Sequence, residues 1–475
     1  MSIEWIRSLA TFFMIVTVLF PKSSTSLILT KGRRILNCTR KLSSLKPSGI
    51  AMSAARVAIL VDCDAEGIRA SGEAIKAGGL VAFPTETVYG LGANALNDSS
   101  VRSIFAAKKR PSTDPLIVHV LGKDDIYDLY DFEDTTNGIS KAQIVCEYLA
   151  KNFWPGPLTI IFKSKSTVPL SVTAGSGFVG LRSPKHPTAR LLLEAAGLPI
   201  AAPSANRFGH VSPTCADHVM QDLGEESIII LKDDVSLTGG CTVGIESTVC
   251  RVSKAGDVVS ILRCGAVTSE DIAASLAASN SAELMNVSVV IENEKALIKK
   301  GSDKSGVDSI SGKATESVDN EAAVAPGQMI KHYAPDIPTY IVTATSSASR
   351  AGVVAFRLAG QEDHDDSSSS PADISIKKAF IIDFGGQLKH FKDNCSVYVD
   401  LSSSGVAEEA CNRIFEVLRM TEDPSLSLAH SSKGGSGEGV TLVLLPDLRE
   451  AAERNEMVRA LWERLHRAAS GSFVC

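Results

Sequence analysis

No Cys-x-x-Cys pair occurs among the ten cysteines of this 475-residue chain. That disfavours a zinc ribbon or a thioredoxin-like redox site. An even cysteine count in so long a chain is no evidence for disulfides, so the thiols are expected to be reduced and structural. The Walker A phosphate loop is missing, and so are the dinucleotide fingerprint and the His-Glu-x-x-His metal helix. Gly90-Leu91-Gly92 is too little to claim a phosphate loop. ATP chemistry here would therefore run without a standard P-loop. There is no Ser-His-Asp or Cys-His elbow either, which argues against covalent catalysis. The apolar run Leu9–Phe20 has 12 residues and stops at Pro21, short of the roughly 17–25 that a bilayer span needs. A cationic surplus is also lacking. The formal charge of -6 argues against a nonspecific nucleic-acid binder, which needs a net basic face.

What is present is a globular balance, 44% hydrophobic and 21% charged, with material for at least two domains. The charge is unevenly spread. Residues 1–51 hold eight Lys/Arg against the single acid Glu4, a net of +7, which leaves -13 for residues 52–475. A basic, Ser-rich, acid-poor leader reads as a mitochondrial or plastid address or a signal-like segment. Met52 is an alternative start that would yield a cytoplasmic form without the leader. No stable membrane insertion is expected, and residues 1–51 are set aside from the fold.

Apolar runs and turn residues make residues 55–277 one α/β unit with a mixed, twisted sheet. Strands are predicted at Leu80–Phe83, Leu116–Val120, Leu158–Phe162, Gly180–Arg182, Ile200–Ala202, Ile228–Leu231, Ser247–Val252 and Val258–Leu262. Helices are predicted at Gly67–Lys76, Ser99–Lys108 and His186–Ala196. Residues 278–336 read as a linker. Lys299–Val324 is its flexible part, and order is expected to return over residues 325–335. A smaller α/β domain follows over residues 337–469. Its strands are expected at Thr339–Val342, Gly352–Phe356, Ala379–Asp383, Ser396–Val399 and Val440–Leu445, and its helices at Val406–Met420 and Ala451–Ala468. Gln361–Pro371 and Ser431–Gly439 read as surface loops.

Several residue groups could carry chemistry. Lys108 and Arg110 lie two apart before Pro111, which favours extended backbone, so both cations would face one side. They suit a triphosphate, or else they form a solvated helix C-terminus. Ser204 and Asn206 repeat that spacing after an apolar strand and suit phosphate oxygens or a purine edge, or else an Asn-capped turn. Strand alternation puts His119 with Ile117, either as a core histidine or as a partner for a substrate hydroxyl or carboxylate. Arg182, just before Pro184, could grip an amino-acid carboxylate bidentately. Thr87 and Ser247 are weak signals taken singly.

Together and in this order, these pieces resemble the threonylcarbamoyl-AMP synthases of the YrdC family in their two-domain form. The residues that carry the resemblance are PTETVYGLG (Pro84–Gly92), KKRPSTDPLIVH (Lys108–His119) and GLRSPKHP (Gly180–Pro187). They continue with PIAAPSANRFGHVSPT (Pro199–Thr214), GIESTV (Gly244–Val249), ILRCGAV (Ile261–Val267) and PGQMIKHYAP (Pro326–Pro335). The resemblance implies a YrdC-like twisted-sheet catalytic domain, then a smaller Rossmann-like α/β domain. It implies condensation of L-threonine, bicarbonate or CO2, and ATP into threonylcarbamoyl-adenylate and pyrophosphate. That is the first step of threonylcarbamoyladenosine (t6A) formation in tRNA.

By the same resemblance, Lys108, Arg110, Asp114, Ser204, Asn206, Thr214, Arg263 and Tyr333 would bind ATP, with Lys108 and Arg110 catalytic. Thr87, His119, Arg182 and Ser247 would hold threonine. No protein-held metal is implied, because Mg2+ would be bound through substrate oxygens. Asp114 stands where many members carry asparagine, Ile330 where an aromatic is usual and Lys331 where arginine is. A downstream tRNA threonylcarbamoyltransferase is the implied partner. Contact with tRNA would be indirect, with some capacity for double-stranded RNA. The alternative is a noncatalytic RNA-binding or regulatory relative of the same fold.

Overall fold

The computed structural model describes residues 57–131, 139–292, 333–343, 353–355, 373–375, 379–423 and 442–474. The leader and most of the expected linker, including Ile330 and Lys331, lie outside them.

The first part of the chain builds an 11-stranded sheet in the spatial order β1-β8-β2-β3-β7-β4-β6-β5-β9-β10-β11. The strands are β1 (Ile59–Asp62), β2 (Leu80–Phe83), β3 (Gly90–Asn94), β4 (Ile117–His119), β5 (Leu158–Lys163), β6 (Phe178–Arg182), β7 (Ile200–Ala201), β8 (Ile228–Lys232), β9 (Thr248–Val252), β10 (Val258–Arg263) and β11 (Ser288–Ile291). Five of the ten neighbouring pairs are parallel and five antiparallel, so the mixed sheet read from the strand spacing is what forms. The central strands are apolar on both faces: all four residues of β2 are buried, and so are the first five of β5. Burial on both faces explains why these strands read as continuous apolar runs.

Six longer helices cover this sheet and its edge: α1 (Ala65–Lys76), α2 (Asp98–Lys108), α3 (Lys141–Phe153), α4 (Pro187–Ala196), α5 (Ala216–Leu223) and α6 (Ser269–Ala277). Asp64, Asn97 and Ser140 cap α1, α2 and α3 by accepting from backbone N–H groups of the first turn. On one face, Ile68 and Ile75 of α1 join Leu192 and Leu193 of α4 over Val81, Phe83 and Ile200.

β3 was not anticipated, because Gly90-Leu91-Gly92 resembles a turn. Gly92 is needed where it is: a Cβ there would lie 2.7 Å from Ile200 and 2.8 Å from the Phe83 ring. One Gly-x-Gly-x-x-Gly spacing does occur, Gly175–Gly180, but it leads into β6 rather than from a strand into a helix. It is therefore no dinucleotide fingerprint.

The last part of the chain forms a five-stranded parallel sheet of β12 (Thr339–Val342), β15 (Ala379–Asp383), β16 (Val397–Asp400), β17 (Leu442–Pro446) and β18 (Phe473–Val474), ordered β16-β15-β17-β12-β18. A separate antiparallel pair joins β13 (Val353–Ala355) to β14 (Asp373–Ser375). Helices α7 (Ala407–Met420) and α8 (Glu456–Ala468) pack on each other. The single helix expected over Ala451–Ala468 is broken. Asn455 ends one short helix and caps α8, accepting from the Val458 N–H. No helix among the described residues is long and apolar enough to cross a membrane.

Candidate active site

β4 and β6 run parallel with His119 opposite Arg182, so both side chains leave the same face of the sheet. They open into a small cavity of about 60 Å3. The turn after β2 supplies Thr85 and Thr87, the turn after β7 supplies Ser204, the approach to β9 supplies Glu246 and Ser247, and the end of β10 supplies Arg263. Arg110 and Tyr333 complete the wall. Eight expected residues thus meet here: Thr87, Arg110, His119, Arg182, Ser204, Ser247, Arg263 and Tyr333.

The Thr85–Val88 turn is a closed hydrogen-bonded loop. Thr85 Oγ1 donates to the Val88 carbonyl at 2.6 Å and accepts from the Thr87 and Val88 N–H groups at 3.2 Å. That fixes Thr87, whose Oγ1 accepts from the Arg182 guanidinium at 2.9 Å. Arg182 is paired with Glu86 at 2.7 Å, both buried, and its Nε has no hydrogen-bond partner. The Nδ1 of His119 likewise has none. Burial, helped by the nearby Arg182 charge, lowers the His119 pKa to about 3, against the pull of a bond to the Ile200 backbone. The ring is neutral at pH 7 and can exchange hydrogen bonds without adding charge.

On the opposite wall, Arg263 donates to the Ser247 carbonyl from Nε at 3.1 Å and from an Nη at 2.9 Å. Ser247 Oγ lies 2.8 Å from Thr159 Oγ1. Burial lowers the Arg263 pKa, opposed by Tyr333 and Glu246. Tyr333 is wholly buried with φ +64° and stacks at 5.1 Å on Phe415 of α7. Burial pushes its phenol up to about 12, so it faces the cavity protonated.

Four expected residues stand outside the cavity lining: Lys108, Asp114, Asn206 and Thr214. Lys108 is not in extended backbone. It is the last residue of α2, followed by Lys109 in the left-handed region at φ 53°, so the same-side argument from strand spacing fails. Nor is it a solvated helix end, being 1% exposed. Its ammonium donates to the Ser204 carbonyl at 2.5 Å and to the Asn206 carbonyl. Burial, with Arg110 nearby, pushes its pKa well below the usual lysine value.

Asp114 pairs with Arg110 at 2.8 Å in a buried site, so its charge is balanced by that guanidinium. The Asn206 amide donates to the Arg207 and His210 carbonyls, leaving its buried Oδ1 without a partner. Thr214 lies 3.3 Å from the His218 ring.

Two carboxylates that sequence reasoning gave no role belong to the site: Glu86, which holds Arg182, and Glu246, which lines the cavity. Both sit inside quoted motifs, PTETVYGLG and GIESTV, where each is the sole ionised group, and that isolation was the available signal. The carboxylates in and behind the wall are each committed to an arginine: Glu246 of the lining to Arg464, and Glu86 and Asp114 behind it to Arg182 and Arg110. That donor set does not fit a protein-held Mg2+.

The comparisons agree with this architecture. Residues 73–265 match the Sua5/YciO/YrdC family model, described as telomere recombination. Residues 267–470 match the model described as threonylcarbamoyl-AMP synthase, C-terminal domain. A threonylcarbamoyl-AMP synthase of Aliivibrio fischeri is 31% identical over 164 residues, which is 34% of this chain and 84% of that protein. The chain belongs to the threonylcarbamoyl-AMP synthase family. The Bacillus subtilis threonylcarbamoyl-AMP synthase is 40% identical over 263 residues, 55% of this chain, and the match spans 62% of that relative's own length. A crystal structure of Pyrococcus abyssi Sua5 complexed with L-threonine superposes with a TM-score of 0.59 at 27% identity. It covers 88% of this chain and 98% of that one, so the likeness to this synthase family extends across both sheets.

Proposed function

We propose that this chain is an L-threonylcarbamoyl-adenylate synthase. The observation that carries the reading is the convergence of Thr87, His119, Arg182 and Ser247 on one cavity that Arg110 and Arg263 also line. Buried cations with neutral hydrogen-bonding groups suit a hydroxy amino acid next to a polyphosphate. The threonine complex of the Pyrococcus abyssi relative supports the same substrate. A small cavity walled by buried arginines favours a small-molecule substrate over the RNA-platform reading.

In the reaction, the neutral amine of threonine adds to CO2, supplied by dehydration of bicarbonate, and releases a proton to solvent. A carbamate oxygen then attacks the α-phosphorus of ATP. The new bond joins that oxygen to the α-phosphorus, and the bond from the α-phosphorus to the β-phosphate bridging oxygen breaks, freeing pyrophosphate. Catalysis is positioning and charge stabilisation with no covalent enzyme intermediate.

Arg182 would grip the threonine carboxylate, while Thr87, neutral His119 and Ser247 orient the amine and hydroxyl. Arg110 and Arg263 would face the phosphates, with Lys108 and Asn206 shaping the Ser204 turn from behind and Thr214 adding a nucleotide contact. Asp114 would orient Arg110. Tyr333, part of the cavity lining, would cover the substrates. Mg2+ would be carried by the nucleotide's own oxygens. The product would pass to a tRNA threonylcarbamoyltransferase for t6A formation. We place the working form in the cytoplasm; a reporter fused to residues 1–51 that enters an organelle would overturn that placement.

The test is pyrophosphate release by the purified full chain in bicarbonate buffer. Release that requires both L-threonine and ATP supports the reading. A folded sample that releases none contradicts it.

A further inference from the structure

A side chain of the C-terminal helix α8 backs the cavity wall, reaching Glu246 from 218 positions further along the chain. Arg464 of α8 is 1% exposed. Its Nη1 donates to the Cys264 carbonyl at 2.7 Å and to the Ala460 carbonyl of its own helix at 3.0 Å, while its Nε donates to Glu246 Oε2 at 3.3 Å. The other Glu246 oxygen accepts from Ser212 Oγ at 2.7 Å. One guanidinium therefore holds a carboxylate of the cavity wall and the backbone immediately after Arg263.

The same loop is braced a second time. Gly244 has φ +75°, and a Cβ there would lie 2.4 Å from the backbone of Asn412 in α7. Asn412 in turn donates to the Cys241 and Thr242 carbonyls at 3.1 and 2.7 Å. The loop that carries Glu246 and Ser247 is thus set by residues of α7 and α8.

The chemistry of the pair matters because both substrates are anions. A carboxylate on a buried wall repels a triphosphate and an amino-acid carboxylate unless a cation beside it cancels its field. We propose that Arg464 is a positioning residue of the substrate pocket. It neutralises Glu246 and fixes the Arg263 backbone, so that the C-terminal domain makes the pocket able to accept anionic substrates. This rests on the synthase reading.

The experiment is steady-state kinetics of the full chain with R464Q, E246Q/R464Q and R464K, alongside E456Q as a control. Glu456 holds Ser269 across the same domain junction at 2.6–2.7 Å, away from the cavity. R464Q is expected to raise KM for ATP by about tenfold or more with a smaller change in kcat, since it leaves a buried carboxylate unpaired. Removing that carboxylate in E246Q/R464Q returns KM to within about threefold of wild type.

R464K keeps the charge but cannot bridge both acceptors, so it raises KM several-fold without lowering the melting temperature appreciably. It carries the test if R464Q does not fold. E456Q leaves KM unchanged. An unchanged KM in both Arg464 variants, no restoration in the double variant, or an E456Q effect equal to that of R464Q would reduce Arg464 to domain docking and overturn the proposal. A wild-type chain without threonine-dependent pyrophosphate release instead sinks the synthase reading itself.

Discussion

The ammonium of Lys108 is bonded to the carbonyl oxygen of Ser204 at 2.5 Å, joining the end of α2 to a turn 96 residues further along. Lys108→Ala leaves that carbonyl and the Asn206 carbonyl without this donor, at a cost of about 1–3 kcal/mol for each buried group left unsatisfied. Turnover is expected to fall about a hundredfold or more, as for other lost catalytic-site donors, with a lowered melting temperature. Pyrophosphate release and thermal melts check both. Full activity in a stable Lys108→Ala chain would remove Lys108 from the account.

Asp114 and Arg110 form a buried pair, and the two obvious substitutions should separate. Asp114→Asn keeps an acceptor for the guanidinium and is expected to retain activity within a few-fold. Asp114→Ala leaves a buried guanidinium without its partner carboxylate and should destabilise the fold by about 3–5 kcal/mol. Denaturant unfolding of the two variants reads the difference.

Two histidines set opposite pH limits. For His119 the folded pKa of about 3 lies below the ordinary histidine value of 6.5, so the unfolded chain binds the proton more readily. Its contribution is intact above about 6.5 and is lost as pH falls toward 3. His210 lies between Asp222 and Glu422, with contacts at 2.9 Å to each. Burial opposes its charge, but bonds to both carboxylates outweigh that and raise its pKa to about 9. That contribution is complete below about 6.5 and fades as pH rises through 9. Melting temperature should therefore peak near neutrality. His210→Gln should flatten the alkaline side of the profile and leave the acid side in place.

Gly244 answers for the seating of α7 on the Glu246 loop. Gly244→Ala would drive a methyl into the Asn412 backbone at a φ of +75°, so it should destabilise the chain and depress threonine-dependent turnover together. Asn412→Ala, which removes only the two bonds to the loop carbonyls, should show the same effect more weakly.

Much of this was legible before any coordinates. Leu80–Phe83, Thr339–Val342 and Ala379–Asp383 form strands at the residues where apolar runs meet turn residues. The pairing of His119 with Ile117 holds, since both line the cavity. What stayed hidden had physical reasons. β3 looked like a turn because close packing against Phe83 and Ile200 requires glycine. Helix α3 is absent from the predicted helices although Ser140 caps it and Val145, Cys146, Leu149 and Ala150 recur at helical spacing. The helix end at Lys108 was legible, but the strand spacing applied to Lys108 and Arg110 fails because a left-handed Lys109 follows that helix. Arg464 could not be seen at all. Nothing local distinguishes a buried arginine of α8 from an exposed one until the tertiary fold brings Glu246 beside it.

The most direct test of the central claim is to incubate the full chain with L-threonine, ATP and 13C-labelled bicarbonate, and to follow the adenylate product by mass spectrometry. The account predicts a threonylcarbamoyl-adenylate that carries the bicarbonate carbon and forms in step with pyrophosphate. Pyrophosphate that appears without labelled adenylate, or with adenylate that lacks the label, would contradict it.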